Sequence, residues 1–202
     1  MRIVNQKDVV SSVVTGLTTG VVSWRILVFL GHALPGGIDA VVLVPIVPVA
    51  WVAGVQLGYL LSAFFRPFAQ FGRFVCIGFT NAMVDFGVLY VLIGWTGSAE
   101  GTAFAAFKAI SFSFATVHSY LWNKYWAFDA ARTSGGRRET VAFIGVALAS
   151  MVINVGAASL VVALRPETFA VASWAGIGAV VGSATALIFS FTGFRLFVFR
   201  KK

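Results

Sequence analysis

Gly72–Ile93 reads GRFVCIGFTNAMVDFGVLYVLI, twenty-two residues with a single cation at the start and a single carboxylate inside. A hydrocarbon core of ~30 Å takes roughly 20 helical residues, so this stretch predicts a membrane-spanning helix. The chain around it has the same character. Of 202 residues 59% are hydrophobic and only 11% charged, with a mean hydropathy of +0.91. A soluble domain carries about a quarter charged residues, and one core of this length does not hide such an apolar excess. A soluble enzyme, a disordered chain and a disulfide-stapled domain are excluded as classes.

Five further segments match the length of the first, giving six predicted spans: about 9–31, 41–64, 72–93, 102–123, 141–164 and 170–194. Turn chemistry separates them, at Pro35-Gly36-Gly37, Arg66-Pro67, Gly94–Gly101, Thr133–Gly136 and Arg165-Pro166. The first stretch, about Val9 to Leu30, is long for a signal-peptide core and no A-x-A site follows it, so it reads as a retained helix. The fold class expected is all-α, a polytopic transmembrane bundle.

Charge then sets the orientation. Twelve of the fifteen Lys and Arg fall on one side of the predicted spans and only Arg165 on the other, with Arg25 and Lys108 inside spans. That asymmetry puts both termini in the cytoplasm. It also gives a membrane explanation for the net charge of +8, and nucleic acid is not an expected partner. The first hairpin is the least regular part. Arg25 reads as a charge near the middle of its span, with an interface, a substrate groove, Asp39 and Asp85 as alternative partners, and Pro45 and Pro48 disturb the second span. Five spans, with the first segment lying in the interface, is the alternative topology. Ser12, Gly16 and Gly20 recur every fourth residue, as do Thr15, Thr19 and Ser23, a small-xxx-small spacing that predicts close helix packing.

Span four ends Asn123-Lys124-Tyr125-Trp126-Ala127-Phe128, and span six ends Phe194-Arg195-Leu196-Phe197-Val198-Phe199. Each has a cation followed two residues later by an aromatic, and Phe65-Arg66-Pro67-Phe68 after span two shares that form. A duplicated hairpin produces this echo, and so does ordinary anchoring by a cation beside an aromatic belt.

From Arg66 onward the chain resembles the GtrA-like family of small four-helix membrane proteins. The residues that carry the likeness are Phe71-Gly72-Arg73-Phe74, Gly78, Asn81 and Asp85, then Phe107–Phe112, Ser119–Phe128 with its Asn-Lys-x-Trp-x-Phe string, and the closing Phe194–Phe199. The resemblance implies two parts: an additional transmembrane hairpin, 1–65, and a GtrA-like four-helix domain, 66–202. It implies a flippase that moves a polyprenyl-phosphate-linked monosaccharide across the cytoplasmic membrane for surface polysaccharide or glycolipid synthesis. The alternative is a non-transporting adaptor that recruits a polyprenyl-phosphate glycosyltransferase, a partner expected in either case alongside membrane lipid. A bundle of this size also leaves room for a homo-oligomer that encloses a groove.

Such a cargo needs cations for its phosphate and hydrogen-bonding groups for its sugar. Asn81 and Asp85 lie four residues apart on one helical face, and Lys108 reaches a similar depth on the next span, so an Asp85–Lys108 ion pair is expected. Arg73, Asn123, Lys124 and Arg195 are expected to form a phosphate-docking ring at the inner surface. His118, Gln56 and Asn154 read as interhelical hydrogen-bonding residues, and Cys76 as a small buried apolar one. No catalytic motif, cofactor motif or metal-ligand spacing is present, so the expectation is a protein that is not an enzyme.

Overall fold

In the computed structural model, residues 4–97, 101–130, 136–168 and 171–199 are described. Of the twelve cations counted on one side above, Arg2, Arg132, Arg200, Lys201 and Lys202 lie outside them, as does the side chain of Lys108. Among the described residues six α-helices form: α1 (Gln6–Phe29), α2 (Leu43–Leu61), α3 (Phe68–Thr96), α4 (Gly101–Trp122), α5 (Arg137–Ala163) and α6 (Val171–Gly193). Among the described residues there is no strand, only a single bridging pair, Leu34 with Ile38. The chain divides into two compact units, Met1–Asp129 and Ala130–Lys202. Among the described residues three helices, all in the first unit, are long and apolar enough to cross a membrane: Gln6–Phe29, Ala40–Leu61 with its leading 3₁₀ turn, and Phe68–Thr96.

The first unit is built inside-out relative to a water-soluble bundle. Along α1 the buried residues are Asp8, Ser11, Ser12, Thr15, Gly16, Thr19 and Gly20, whereas Val10, Val14, Leu17 and Val21 are exposed. Val49 and Leu57 of α2 and Phe79 and Phe86 of α3 also face outward, Val49 at 70% exposure. Apolar side chains gain nothing by leaving lipid for a helix interface, so small residues take the interface and let backbones approach. A methyl at Gly16 would lie 2.5 Å from Pro48 Cα, and one at Gly20 2.5 Å from the Leu43 carbonyl oxygen. Pro45 falls in the first turn of α2, where a missing N–H is tolerated, and Pro48 is buried against Gly16.

Polar groups bind the three helices where they meet. Thr19 Oγ1 donates to Thr80 Oγ1 at 2.9 Å, and Trp51 Nε1 to the same oxygen at 3.3 Å. Thr80 in turn donates to the Cys76 carbonyl at 2.9 Å. Gln56 Oε1 accepts from the Val4 N–H at 3.0 Å, tying α2 to the segment just before α1 and not to a second helix. Arg25 stands about one turn from the end of α1 and not at its middle. It is exposed, with its guanidinium 5.6 Å from the Trp24 ring centroid.

The α-helical path of α4 does not run through Asn123 as the hydropathy predicts. It widens at Asn123–Ala127 into a π-helical turn, in which the Phe128 N–H reaches the Asn123 carbonyl at 2.9 Å. The end of α6 does the same over Phe194–Val198, and the Phe199 N–H reaches the Phe194 carbonyl at 2.8 Å. Each turn packs against the helix before its own, the first on α3 and the second on α5. Phe74 of α3 meets Phe128 edge-on at 6.1 Å, and Phe143 of α5 lies 6.4 Å from Phe199. The sequence echo thus has a structural counterpart in two π-helical turns of equal length, although Trp126 is buried and Phe197, at the equivalent position, is exposed.

Candidate functional site

The start of α1 inserts a carboxylate into the first unit. Asn5 caps the helix by accepting the Asp8 N–H at 2.8 Å, and Asp8 follows in the first turn, where the helix dipole favours negative charge. Its side chain is 1% exposed. Three other elements supply donors to it. From α3, Arg73 Nε lies 2.8 Å from Oδ1 and Nη2 lies 3.0 Å from Oδ2. From α2, Tyr59 donates its hydroxyl to Oδ2 at 2.7 Å. From the π-helical turn after α4, Trp126 Nε1 donates to Oδ1 at 2.9 Å. Arg73 Nη2 also donates to the Tyr59 hydroxyl, and the guanidinium lies 5.3 Å from the Tyr59 ring centroid. A buried carboxylate is tolerated only when its charge is matched and its lone pairs are used, and this cluster does both.

Sequence reasoning selected Arg73 and missed Asp8, Tyr59 and Trp126. Asp8 stands before the stretch that resembles a family and reads as an ordinary first-turn acid. The available signal was its place: a carboxylate at the edge of an apolar run, on the side otherwise dominated by cations.

Beyond Arg73, the α3–α4 contact carries a seam of polar pairs whose numbering runs antiparallel. Asn81 Oδ1 lies 3.4 Å from His118 Nδ1, and one turn further along α3 Asp85 Oδ1 accepts from Ser111 Oγ at 2.6 Å. Ser111 is three residues from Lys108, hence on the same face of α4. The expected Asp85–Lys108 pair involves a side chain outside the described residues. What is visible is that Asp85 meets α4 at that face.

Asn123 and Lys124 are drawn into the protein by the widened turn, at 1% and 7% exposure. Asn123 Nδ2 donates to the Ser119 carbonyl at 2.8 Å and to Ser119 Oγ at 3.2 Å. Its Oδ1 is buried with no hydrogen-bond partner among the described residues. Lys124 Nζ lies 3.2 Å from the Tyr120 hydroxyl and 5.5 Å from the ring centroid. Arg195 occupies the position of Lys124 in the second unit's turn and is half-buried there. At the position of Asn123 that turn has Phe194, stacked on Phe143 at 4.6 Å. The polar chemistry is therefore concentrated in the first turn.

A guanidinium, a phenol and an indole N–H converging on two oxygens form a receptor for an oxyanion. Among the described residues no group of three or more His, Cys, Asp and Glu is placed to hold a metal.

Comparison with known proteins matches the "GtrA/DPMS, transmembrane domain" family over residues 73–201. The match begins at Arg73 and leaves α1 and α2 before it. Over 79 residues the chain is 32% identical to the uncharacterized membrane protein YngA of Bacillus subtilis (strain 168), covering 39% of this chain. The chain spans about half the length of that curated relative, 49%. No solved structure matches. With 73–201 covered, from the first cation of α3 through the second π-helical turn, this membrane protein belongs to the GtrA/DPMS transmembrane-domain family.

Proposed function

We propose that the chain is a flippase that carries a polyprenyl-phosphate-linked monosaccharide across the cytoplasmic membrane, feeding surface polysaccharide or glycolipid synthesis. All six helices span the membrane in this reading and both termini are cytoplasmic, with 66–202 as the transporting domain and 1–65 as an added hairpin. The observation that carries the reading is the polar seam along α3 and α4, with the Arg73 donor cluster at its cytoplasmic end. Polar side chains held inside a membrane bundle mark a path for a polar cargo. Arg73 and Lys124 attract the phosphate, Asn123 and Asn81 hydrogen-bond the sugar, and Asp85 with Lys108 receives the headgroup deeper in the bilayer. Arg195 takes the part of Lys124 in the second unit. The prenyl tail stays in lipid beside the outward-facing Phe79 and Phe86.

Liposomes holding the purified protein and a neryl-phosphoryl glucoside test this, with an impermeant periodate reporting headgroups that reach the far leaflet. Rapid protein-dependent oxidation, slowed at least tenfold by Lys108→Met and by Asp85→Asn, is expected. Oxidation no faster than in empty liposomes refutes transport and favours the adaptor role, in which charge swaps over 124–140 release a bound glycosyltransferase.

A further inference from the structure

The Asp8 cluster joins two parts of the chain with different origins in the sequence. Its cation and indole come from residues inside the family match, and its carboxylate comes from α1, outside it. The donors are spread over both carboxylate oxygens, the indole at Oδ1 and Nη2 and the phenol at Oδ2, while Nε stands 2.8 Å from Oδ1 as a charge contact outside hydrogen-bond geometry. A guanidinium fork recognises the two-oxygen edge of a carboxylate and that of a phosphodiester in the same way.

We propose that Arg73, Tyr59 and Trp126 form a phosphodiester site of which Asp8 is the resident internal occupant, so that the start of α1 is a latch over it. A lipid phosphate enters by displacing the carboxylate. The identity of that lipid rests on the transport reading above; the latch itself does not.

The local structure suits an exchange. Besides Asp8, an exposed Lys7–Asp129 ion pair at 2.8 Å and the Val4–Gln56 hydrogen bond hold the start of α1. Exposed ion pairs hold weakly, whereas the close backbone contacts at Gly16 and Gly20 stand two and three turns further along. Exchange also avoids the large penalty of a half-broken buried pair: Asp8 regains water at the helix end while the phosphate neutralises Arg73. In the same π-helical turn as Trp126, the unpartnered Asn123 Oδ1 is an acceptor of the kind a sugar hydroxyl uses.

The test leaves Asp8 untouched first. Lys7→Cys with Asp129→Cys, joined by a bis-maleimide whose spacer contains a disulfide, ties the start of α1 to the turn and is released by reductant. Cys76 is buried and stays out of the reaction. Binding of radiolabelled neryl-phosphoryl glucoside is measured in phosphatidylcholine nanodiscs, with unlabelled lipid or inorganic phosphate as competitor. Bridged protein is expected to bind at least tenfold more weakly than the same sample after reduction. Asp8→Asn is expected to bind about tenfold more tightly than wild type, and Arg73→Gln to lose binding in either background. Competition by inorganic phosphate identifies a site for free phosphate, and competition by the prenyl phosphodiester alone identifies a headgroup site.

Equal binding before and after reduction overturns the latch, as does equal binding by folded Asp8→Asn and wild type. If Asp8→Asn does not fold, the bridge decides alone. Binding that obeys the bridge without lipid movement in liposomes keeps the latch and removes the flippase. Movement that ignores both perturbations does the reverse.

Discussion

Gly16 lies on the same buried stripe of α1 as Asp8 and Ser12, at i, i+4 and i+8, so its packing sets how that helix lies on α2. Gly16→Ala puts a methyl 2.5 Å from Pro48 Cα and 2.8 Å from Pro48 N. Carbon atoms in contact prefer ~3.5–4.0 Å, so the helices have to separate by about 1 Å. Both obstructing atoms are backbone, in a turn stiffened by proline, and do not rotate aside. Overpacking of this kind costs about 1–3 kcal/mol, against a helix-propensity gain of about 0.8–1 kcal/mol for Ala over Gly. A net loss of up to about 2 kcal/mol is expected. Gly54→Ala in the same unit is the control, because its methyl meets only Cys76 Sγ, at 4.0 Å, an ordinary contact. It keeps the same propensity gain, so the two variants are expected to differ by the overpacking cost, about 1–3 kcal/mol. Titration with dodecyl sulfate from maltoside micelles, followed by tryptophan fluorescence, reads the difference. If Gly16→Ala is as stable as Gly54→Ala, the close-packed contact between α1 and α2 is refuted.

Thr80→Val keeps the shape of a fully buried residue but removes the oxygen that accepts from Thr19 and Trp51. Interhelical hydrogen bonds in membranes are worth about 0.6 kcal/mol on average and at most about 1.7, so a loss of about 1 kcal/mol is expected in the same titration. Asn123→Leu replaces a buried amide whose oxygen lacks a described partner, at a position where the second unit has Phe194. Stability is expected to change by less than about 1 kcal/mol while lipid movement falls at least tenfold. Loss of stability with unchanged movement would show a packing role instead.

The helices were legible because hydrophobic run length is set by the residues themselves. The spacing of Gly16 and Gly20 was legible for a related reason: only small side chains at every fourth position let two backbones touch. The echo between Asn123–Phe128 and Phe194–Phe199 was visible too, though not its form, because α- and π-helical turns draw on the same residue types. Arg25 reads from the sequence as mid-span, whereas α1 ends at Phe29, one turn beyond it and before the turn at Gly31. The Asp8 cluster was not legible. Asp8 stands 51 to 118 residues from the groups it binds, and its place at the edge of an apolar run does not say which distant side chains answer it. Of the expected site residues, Arg73, Asn81 and Asp85 were selected on family motif and helical face, and that logic brings each to its interhelical contact. It says nothing of which group answers from the other side.

The two π-helical turns share almost no side chains: Asn-Lys-Tyr-Trp-Ala in one, Phe-Arg-Leu-Phe-Val in the other. What they share is one residue more than an α-helix would use, and that surplus acts as a rotary offset. Each residue in an α-helix turns the chain by about 100°, so the offset swings everything after it by about that angle and brings Phe128 and Phe199 inward to their buried seats. Chain length is therefore the strict variable at these two points and composition the permissive one. One hairpin was free to keep an amide and an ammonium at its end while the other filled the same place with stacked rings.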